Sequence, residues 1–303
     1  MEKSIDVSAV ERQYRDYLYQ LGYSRDKQQG ICSQIGVFLN YVQVRDIGEV
    51  SQQQVKEFYG FLQVWPGKGK SKAGLTGSTI ALYISALQHF FRWLEITEQI
   101  DTNPISGIKF KGYKKNRREP LSVQQVQALF AAAKDNMMEL ALLHLCYSCG
   151  MRRGEVERLD VRDVHFKQRL LYVREGKGCK RRVVPLTARV AGELENYCVH
   201  VRAALQRCGG VDDIAFMVNR QGRRLGGSGC TDMFNRIKER ASDGGVSLPG
   251  ISLHHLRHSI ATHLVQGGMG MMYVKDFLGH SSLDTTQIYA KASMAQLKRQ
   301  QHG

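Results

Sequence analysis

The sequence predicts a mostly α-helical protein with a small β-sheet, arranged as an all-helical N-terminal domain followed by a larger α+β domain. Three observations predict it. Apolar residues recur at three- and four-residue spacing through most of the chain. A dense cationic run near residue 110 interrupts that periodicity. Beyond it, two short stretches that read as strands flank a Gly-Lys-Gly turn. The chain has 303 residues, 43% of them hydrophobic, which suffices for two domains with buried cores.

VSAVERQYRDYLYQLG sets Val10, Tyr14, Leu18 and Leu21 on one helical face, and KQQGICSQIGVFLNYV does the same with Ile31, Ile35, Leu39 and Val42. Ser51 reads as the N-cap of QQQVKEFYGFLQVW, because a short hydroxyl accepts from an amide that the first turn leaves unpaired. After the loop PGKGKSKAGLTG, Ser78 reads as the cap of TIALYISALQHFFRWLEI, and Asn103-Pro104 closes the fourth helical region. IKFKGYKKNRREPLS then carries Lys109, Lys111, Lys114, Lys115, Arg117 and Arg118 with no acid between the first and the last. Cations this close do not pack in a core, so residues 108–119 are assigned as a basic linker between domains at 1–107 and 120–303.

Ser122 opens the helix VQQVQALFAAAK, followed by a second in MMELALLHLCYS. RLLYVREG and RRVVPL read as two strands joined by the turn Gly176-Lys177-Gly178-Cys179. Four more helical stretches follow in ARVAGELENYCVHVRAAL, TDMFNRIKERA, HHLRHSIATHLVQG and MYVKDFLG, and Leu283 to Ala290 is expected to form a short helix bearing Tyr289.

Lys and Arg number 43 against 28 Asp and Glu, a net charge of +15. That excess favours a polyanionic partner, nucleic acid first and an anionic membrane surface second. No apolar run is long enough to span a bilayer, and the charged start MEKSIDVSAVERQYRDYLYQ lacks the apolar centre of a signal peptide, so a soluble cytoplasmic protein is expected. Seven cysteines, an odd number, argue against a disulfide framework. Cys146 and Cys149 form a CxxC without a second ligand pair, and read as buried helical thiols.

Three patterns carry chemistry. They are CGMRRGEVERL with Arg152, HHLRHSIATHL with His254 and Arg257 on one helical face, and FLGHSSLDTTQIYAKAS with His280 nine residues before Tyr289. Two arginines can fork onto the oxygens of one phosphate. Histidines donate hydrogen bonds or move protons, and a tyrosine hydroxyl is a nucleophile once it loses its proton. Lys177, on its tight turn, can reach into such a site as a proton donor. The set points to phosphoryl transfer by positioning and charge. It lacks a carboxylate cluster for Mg²⁺, and His254 with His258 lacks the acid and third ligand of a metal pair.

In chain order, Gly-Met-Arg-x-x-Glu, Gly-Lys-Gly, His-x-Leu-Arg-His, Leu-Gly-His and Thr-Thr-x-x-Tyr resemble the tyrosine recombinase, or phage integrase, family. The likeness is strong over 120–292 and looser, by pattern, over 5–105. It is nearest to simple two-domain members, the Xer-type and transposon-borne recombinases. The resemblance implies a helical core-binding domain that clamps DNA and an α+β catalytic domain using Arg152, Lys177, His254, Arg257, His280 and Tyr289. Arg152 and Arg257 would hold the scissile phosphate and His280 would donate to it. Lys177 would protonate the leaving 5′-oxygen, and His254 would assist the tyrosine's proton. Glu155 would be a supporting acid that orients an arginine. Arg153-Gly154 departs from the apolar and small polar residues common there.

The implied reaction passes through a 3′-phosphotyrosyl bond and a Holliday junction, needing neither metal nor ATP. The implied partner is double-stranded DNA with an inverted-repeat site, bound as a dimer per site and a homotetramer overall; a second recombinase or accessory protein is compatible with this. The linker cations would follow the phosphate backbone. Two alternatives stay open: a type IB topoisomerase-like enzyme, which shares the chemistry, and a catalytically inactive DNA-binding regulator, against which stand the six filled catalytic positions.

Overall fold

A computed structural model describes residues 7–66, 74–112, 119–174, 181–207 and 214–279. The chain divides into two compact units, Met1–Arg117 and Arg118–Gly303. The division falls within the basic stretch.

The first unit consists of α1 (Val7–Gln20), α2 (Arg25–Val42), α3 (Gln52–Val64) and α4 (Gly77–Ile96). Their apolar stripes meet in one core: Tyr14, Phe38, Phe58, Leu62, Phe90, Phe91 and Leu94 are buried. Rings pack edge to face, Tyr14 on Phe90 at 5.1 Å and Phe38 on Phe58 at 5.0 Å between centroids, the arrangement that aromatic quadrupoles favour. Ser51 caps α3 in a reciprocal box, its hydroxyl accepting from the Gln54 amide at 3.3 Å while the Gln54 side chain accepts from the Ser51 amide at 2.8 Å.

Three local expectations are corrected. Thr76, not Ser78, caps α4, its hydroxyl accepting from the Thr79 amide at 3.3 Å, because the helix already begins at Gly77. Leu21 lies just beyond α1 and is exposed. The start of the basic stretch is docked rather than loose: Ile108 and Phe110 pack against the first core, Phe110 5.2 Å from the Tyr59 ring, while Lys109 and Lys111 stay exposed. The alternation Ile-Lys-Phe-Lys is that of an extended segment with one face inward.

The second unit starts with α5 (Val123–Ala133), capped by Ser122 in a second reciprocal box with Gln125. In α6 (Met137–Leu143) the helix widens into a π turn at His144–Ser148, and α7 (Arg153–Glu157) follows a sharp bend. The sheet is antiparallel in the order β1 (Val164–His165), β2 (Leu170–Val173), β3 (Arg182–Pro185), with Leu171 opposite Val184 and Val173 opposite Arg182. Its first strand was not expected; two residues are too few to show a period.

After β3 come α8 (Ala188–Asn196), a second π turn at Tyr197–Arg202 and α9 (Ala203–Arg207). Next is α10 (Gly227–Asp243), whose first turn was missed in the sequence because Gly227 and Gly229 disguise it. The unit's described helices end with α11 (Leu253–Gln266) and α12 (Met271–Leu278). Cys146 lies in the first π turn and Cys149 directly after it; both are buried. Burial pushes the Cys146 thiol well above its usual range and Cys149 up to about 12, so both stay protonated and inert. The Lys177 turn and the expected helix at 283–290 lie outside the described residues.

Candidate active site

The site is built where α7, β3 and the start of α11 converge. Gly150 makes the bend that ends the π turn, at φ +57°, and a Cβ there would lie 2.8 Å from the Leu278 side chain and 3.1 Å from Phe277. Only glycine satisfies both demands. Arg152 follows in an extended conformation. Its backbone amide donates to Glu155 at 2.9 Å and its guanidinium at 2.7 Å, so the pair i and i+3 of one helical start is locked together.

Arg257 occupies the inner face of α11 and is 2% exposed. It donates to the backbone oxygens of Gly150 and Leu278 and lies 3.9 Å from Glu155. A single residue of α11 thereby ties the Gly150 bend to the end of α12. Sequence reasoning missed the third arginine. Arg182 forks onto Glu155, with donor distances of 2.7 and 3.1 Å. The signal was present: Val184 points inward from β3, and a strand's period of two sends Arg182 the same way.

Glu155 is thus buried among Arg152, Arg182 and Arg257. Burial alone would raise its pKa. The hydrogen bonds and charge of Arg182, the Arg152 amide and the charge of Arg257 outweigh burial and hold it down at about 2. Three cations face one anion, so the cluster carries a positive surplus inside a poorly solvated site. Such a surplus suits an external anion that arginine forks can grip.

Of the other expected residues, His254 sits exposed on the first turn of α11, three residues before Arg257. Lys109 and Lys111 are exposed in the first unit. Lys114, Lys115, Arg117, Arg118, Lys177, His280 and Tyr289 lie outside the described residues. Among the described residues no group of three or more His, Cys, Asp or Glu side chains could hold a metal ion, and no helix is long and apolar enough to cross a membrane.

A second ionic cluster braces the sheet. Arg174, just past β2, donates to Asp163 and, at 3.4 Å, to Asp160, which also accepts from Arg224 at 2.8 Å. Two strands of the sheet are therefore anchored by ion pairs at their ends, β2 through Arg174 and β3 through Arg182.

Residues 119–296 match the phage integrase family. A tyrosine recombinase of Pseudothermotoga lettingae is 32% identical over 270 residues, covering 89% of this chain and 85% of that protein. The tyrosine recombinase XerD of Oceanobacillus iheyensis is 34% identical, over 80% of this chain and 79% of its own. Among solved structures, a Tn1549 transposon integrase in complex with transposon right end DNA superposes with a TM-score of 0.73 at 18% identity, over 95% of this chain and 99% of that one. A lambda integrase dimer bound to a COC′ core site gives 0.72 at 18%, over 94% and 95%. Those structures share the fold; the family model and the sequence relatives settle membership, and the chain belongs to the phage integrase family of tyrosine site-specific recombinases.

Proposed function

We propose that the protein cuts and rejoins DNA at an inverted-repeat site by two transesterifications through Tyr289. The observation that carries this reading is the surplus of arginine at Glu155: Arg152 and Arg257, with a third guanidinium behind them, around one carboxylate. Arg152 and Arg257 hold the non-bridging oxygens of the scissile phosphate and stabilise the charge that builds in the transition state. The Tyr289 oxygen attacks phosphorus, the 5′-oxygen leaves with a proton from Lys177, and His254 takes the tyrosine's proton. His280 donates a further hydrogen bond to the phosphate. A 5′-hydroxyl of the partner duplex then attacks the phosphotyrosyl bond and releases Tyr289. The bond energy is conserved, so neither ATP nor metal is needed.

The first unit, together with the basic stretch from Lys109 to Arg118, tracks the phosphate backbone, and the second does the chemistry. Solved relatives include a lambda integrase tetramer bound to a Holliday junction and XerH bound to a difH substrate in a pre-cleavage complex. By analogy this chain works as a dimer on each site and a homotetramer over two.

A nicked suicide substrate carrying the site traps the first step. The wild-type protein gives a covalent adduct on a denaturing gel, mapped by peptide sequencing to Tyr289. Tyr289→Phe retains DNA binding and gives none. DNA mapped to another residue overturns the reading.

A further inference from the structure

We propose that Arg182 is a positioning residue for cleavage: through Glu155 it fixes Arg152 and Arg257 relative to β3. This rests on the roles proposed above for those residues.

Arg182 stands on the core face of β3, where a strand of this pattern normally places an apolar side chain, and its side chain is only 5% exposed. Its fork on Glu155 is bidentate, the geometry that fixes orientation as well as charge. Glu155 in turn holds both the amide and the guanidinium of Arg152. The aliphatic part of Arg182 packs on Gly279, where an added Cβ would lie 3.1 Å from the Arg182 Cδ, and Gly279 directly precedes His280. Arg182 is five residues from Lys177 along the same hairpin. One side chain therefore joins β3 to the acid that holds Arg152 and to Gly279 at the end of α12.

A stability role alone accounts for this poorly. The Nε of Arg182 is buried with no hydrogen-bond partner among the described residues, and a buried cation with an orphaned donor is a costly way to fill a core position. A methionine or leucine would pack there without that cost. What the apolar residue could not do is hold Glu155 ionised and immobile. Facing Glu155 are Arg152 ahead of α7, Arg182 on β3, Arg257 on α11 and the buried Cys146 thiol; Arg158, Asp160, Asp163, Tyr172, Arg174 and Arg224 line the cleft beside it. Of these, Arg182 contributes most to keeping its carboxyl charged.

The test is single-turnover cleavage of the suicide substrate at saturating DNA, as a function of pH, with DNA affinity and melting temperature measured on the same samples. Arg182→Gln is expected to slow cleavage about 100-fold, the scale of a small misplacement at a reacting centre, while DNA affinity stays within about threefold because the residue is buried. Its rate should also fall toward acid where the wild type is flat, since burial of Glu155 is then opposed only by the Arg152 amide and the charge of Arg257. Arg182→Lys, which keeps the charge but loses the fork, should recover part of the rate, and it carries the comparison should Arg182→Gln not fold.

Glu155→Gln combined with Arg182→Gln should be no slower than the slower single variant, because one acts through the other. Multiplying defects would mean Arg182 contacts DNA itself, and cleavage within twofold of wild type with normal pH dependence would leave it a structural ion pair; either overturns the positioning role. Absence of any wild-type adduct would instead overturn the proposed function, and the positioning role with it.

Discussion

The two units bury different things. In the first, the buried side chains are apolar and aromatic apart from Gln28 and Asn103. In the second, Glu139, Glu155, Asp160, Asp163, Arg182, Arg202 and Arg257 are buried as well; among the described residues every buried charge belongs there. An apolar core needs nothing but the right volume and pattern, whereas a buried ion is stabilising only when its partners are all in place. The difference teaches where to look for chemistry. Some of the second unit's charges are balanced braces, Glu139 with Arg240 or Asp163 with Arg174. The cluster at Glu155 sets three arginines around a single carboxylate, and that surplus is what the proposed site is read from.

The comparison can be broken at its strongest point by Glu155→Ala. Leaving Arg182 and Arg257 without their shared anion should cost about 3–5 kcal/mol, lowering the melting temperature of the second unit by on the order of 10 °C. Calorimetry showing less than about 1 kcal/mol would mean that the arginines are solvated and the surplus is fictitious.

Acid sharpens the contrast. Glu155 is held at about 2, below the ordinary value of 4.5. Its contribution is therefore fully present above pH 4.5 and is lost as pH falls toward 2, up to about 3 kcal/mol if the shift is fully expressed. Trp65 and Trp93, the only two tryptophans, both lie in the first unit, so their fluorescence follows that unit alone while far-ultraviolet circular dichroism follows both. On acidification the dichroism should begin to change before the fluorescence does. Coincident transitions would tie the two units together or remove Glu155 from the balance.

The smallest effect is expected at the exposed cations. Lys109→Gln with Lys111→Gln should leave the melting temperature unchanged and weaken DNA binding about equally for all sequences. The slope of log K against log salt should become shallower by up to about 0.9 per lost phosphate contact. An unaltered slope, read by fluorescence anisotropy, would make these lysines merely solvated.

The first unit was the more legible in the sequence for the same reason that it lacks buried charge. Its stripes of Tyr14, Leu18, Ile35 and Leu39 repeat at helical spacing, and burial follows them. Arg152, Glu155 and Arg257 could be found by motif and do converge. Arg182 lies in none of those motifs, and its period-two spacing from Val184 is easily overlooked because a charged residue in a basic stretch such as Lys180-Arg181-Arg182 reads as solvated. The cap at Thr76 and the two-residue β1 escaped because neighbouring hydroxyls compete for one cap and a pair of residues has no period. The docking of Ile108 and Phe110 was hidden by the lysines between them.

The claim that this unbalanced arginine cluster is catalytic is tested most directly by Arg152→Gln. Its side chain is 28% exposed, and its buried partner Glu155 keeps Arg182 and Arg257, so the truncation strands no buried charge and the melting temperature should move by no more than a few degrees, since about 1 kcal/mol is at stake. DNA affinity should stay within about threefold, one phosphate contact among many. Covalent adduct formation on the suicide substrate should fall by at least about 100-fold, as for loss of a donor to transition-state charge. An Arg152→Gln protein that is folded, bound to DNA and still forms adduct at the wild-type rate would contradict the account.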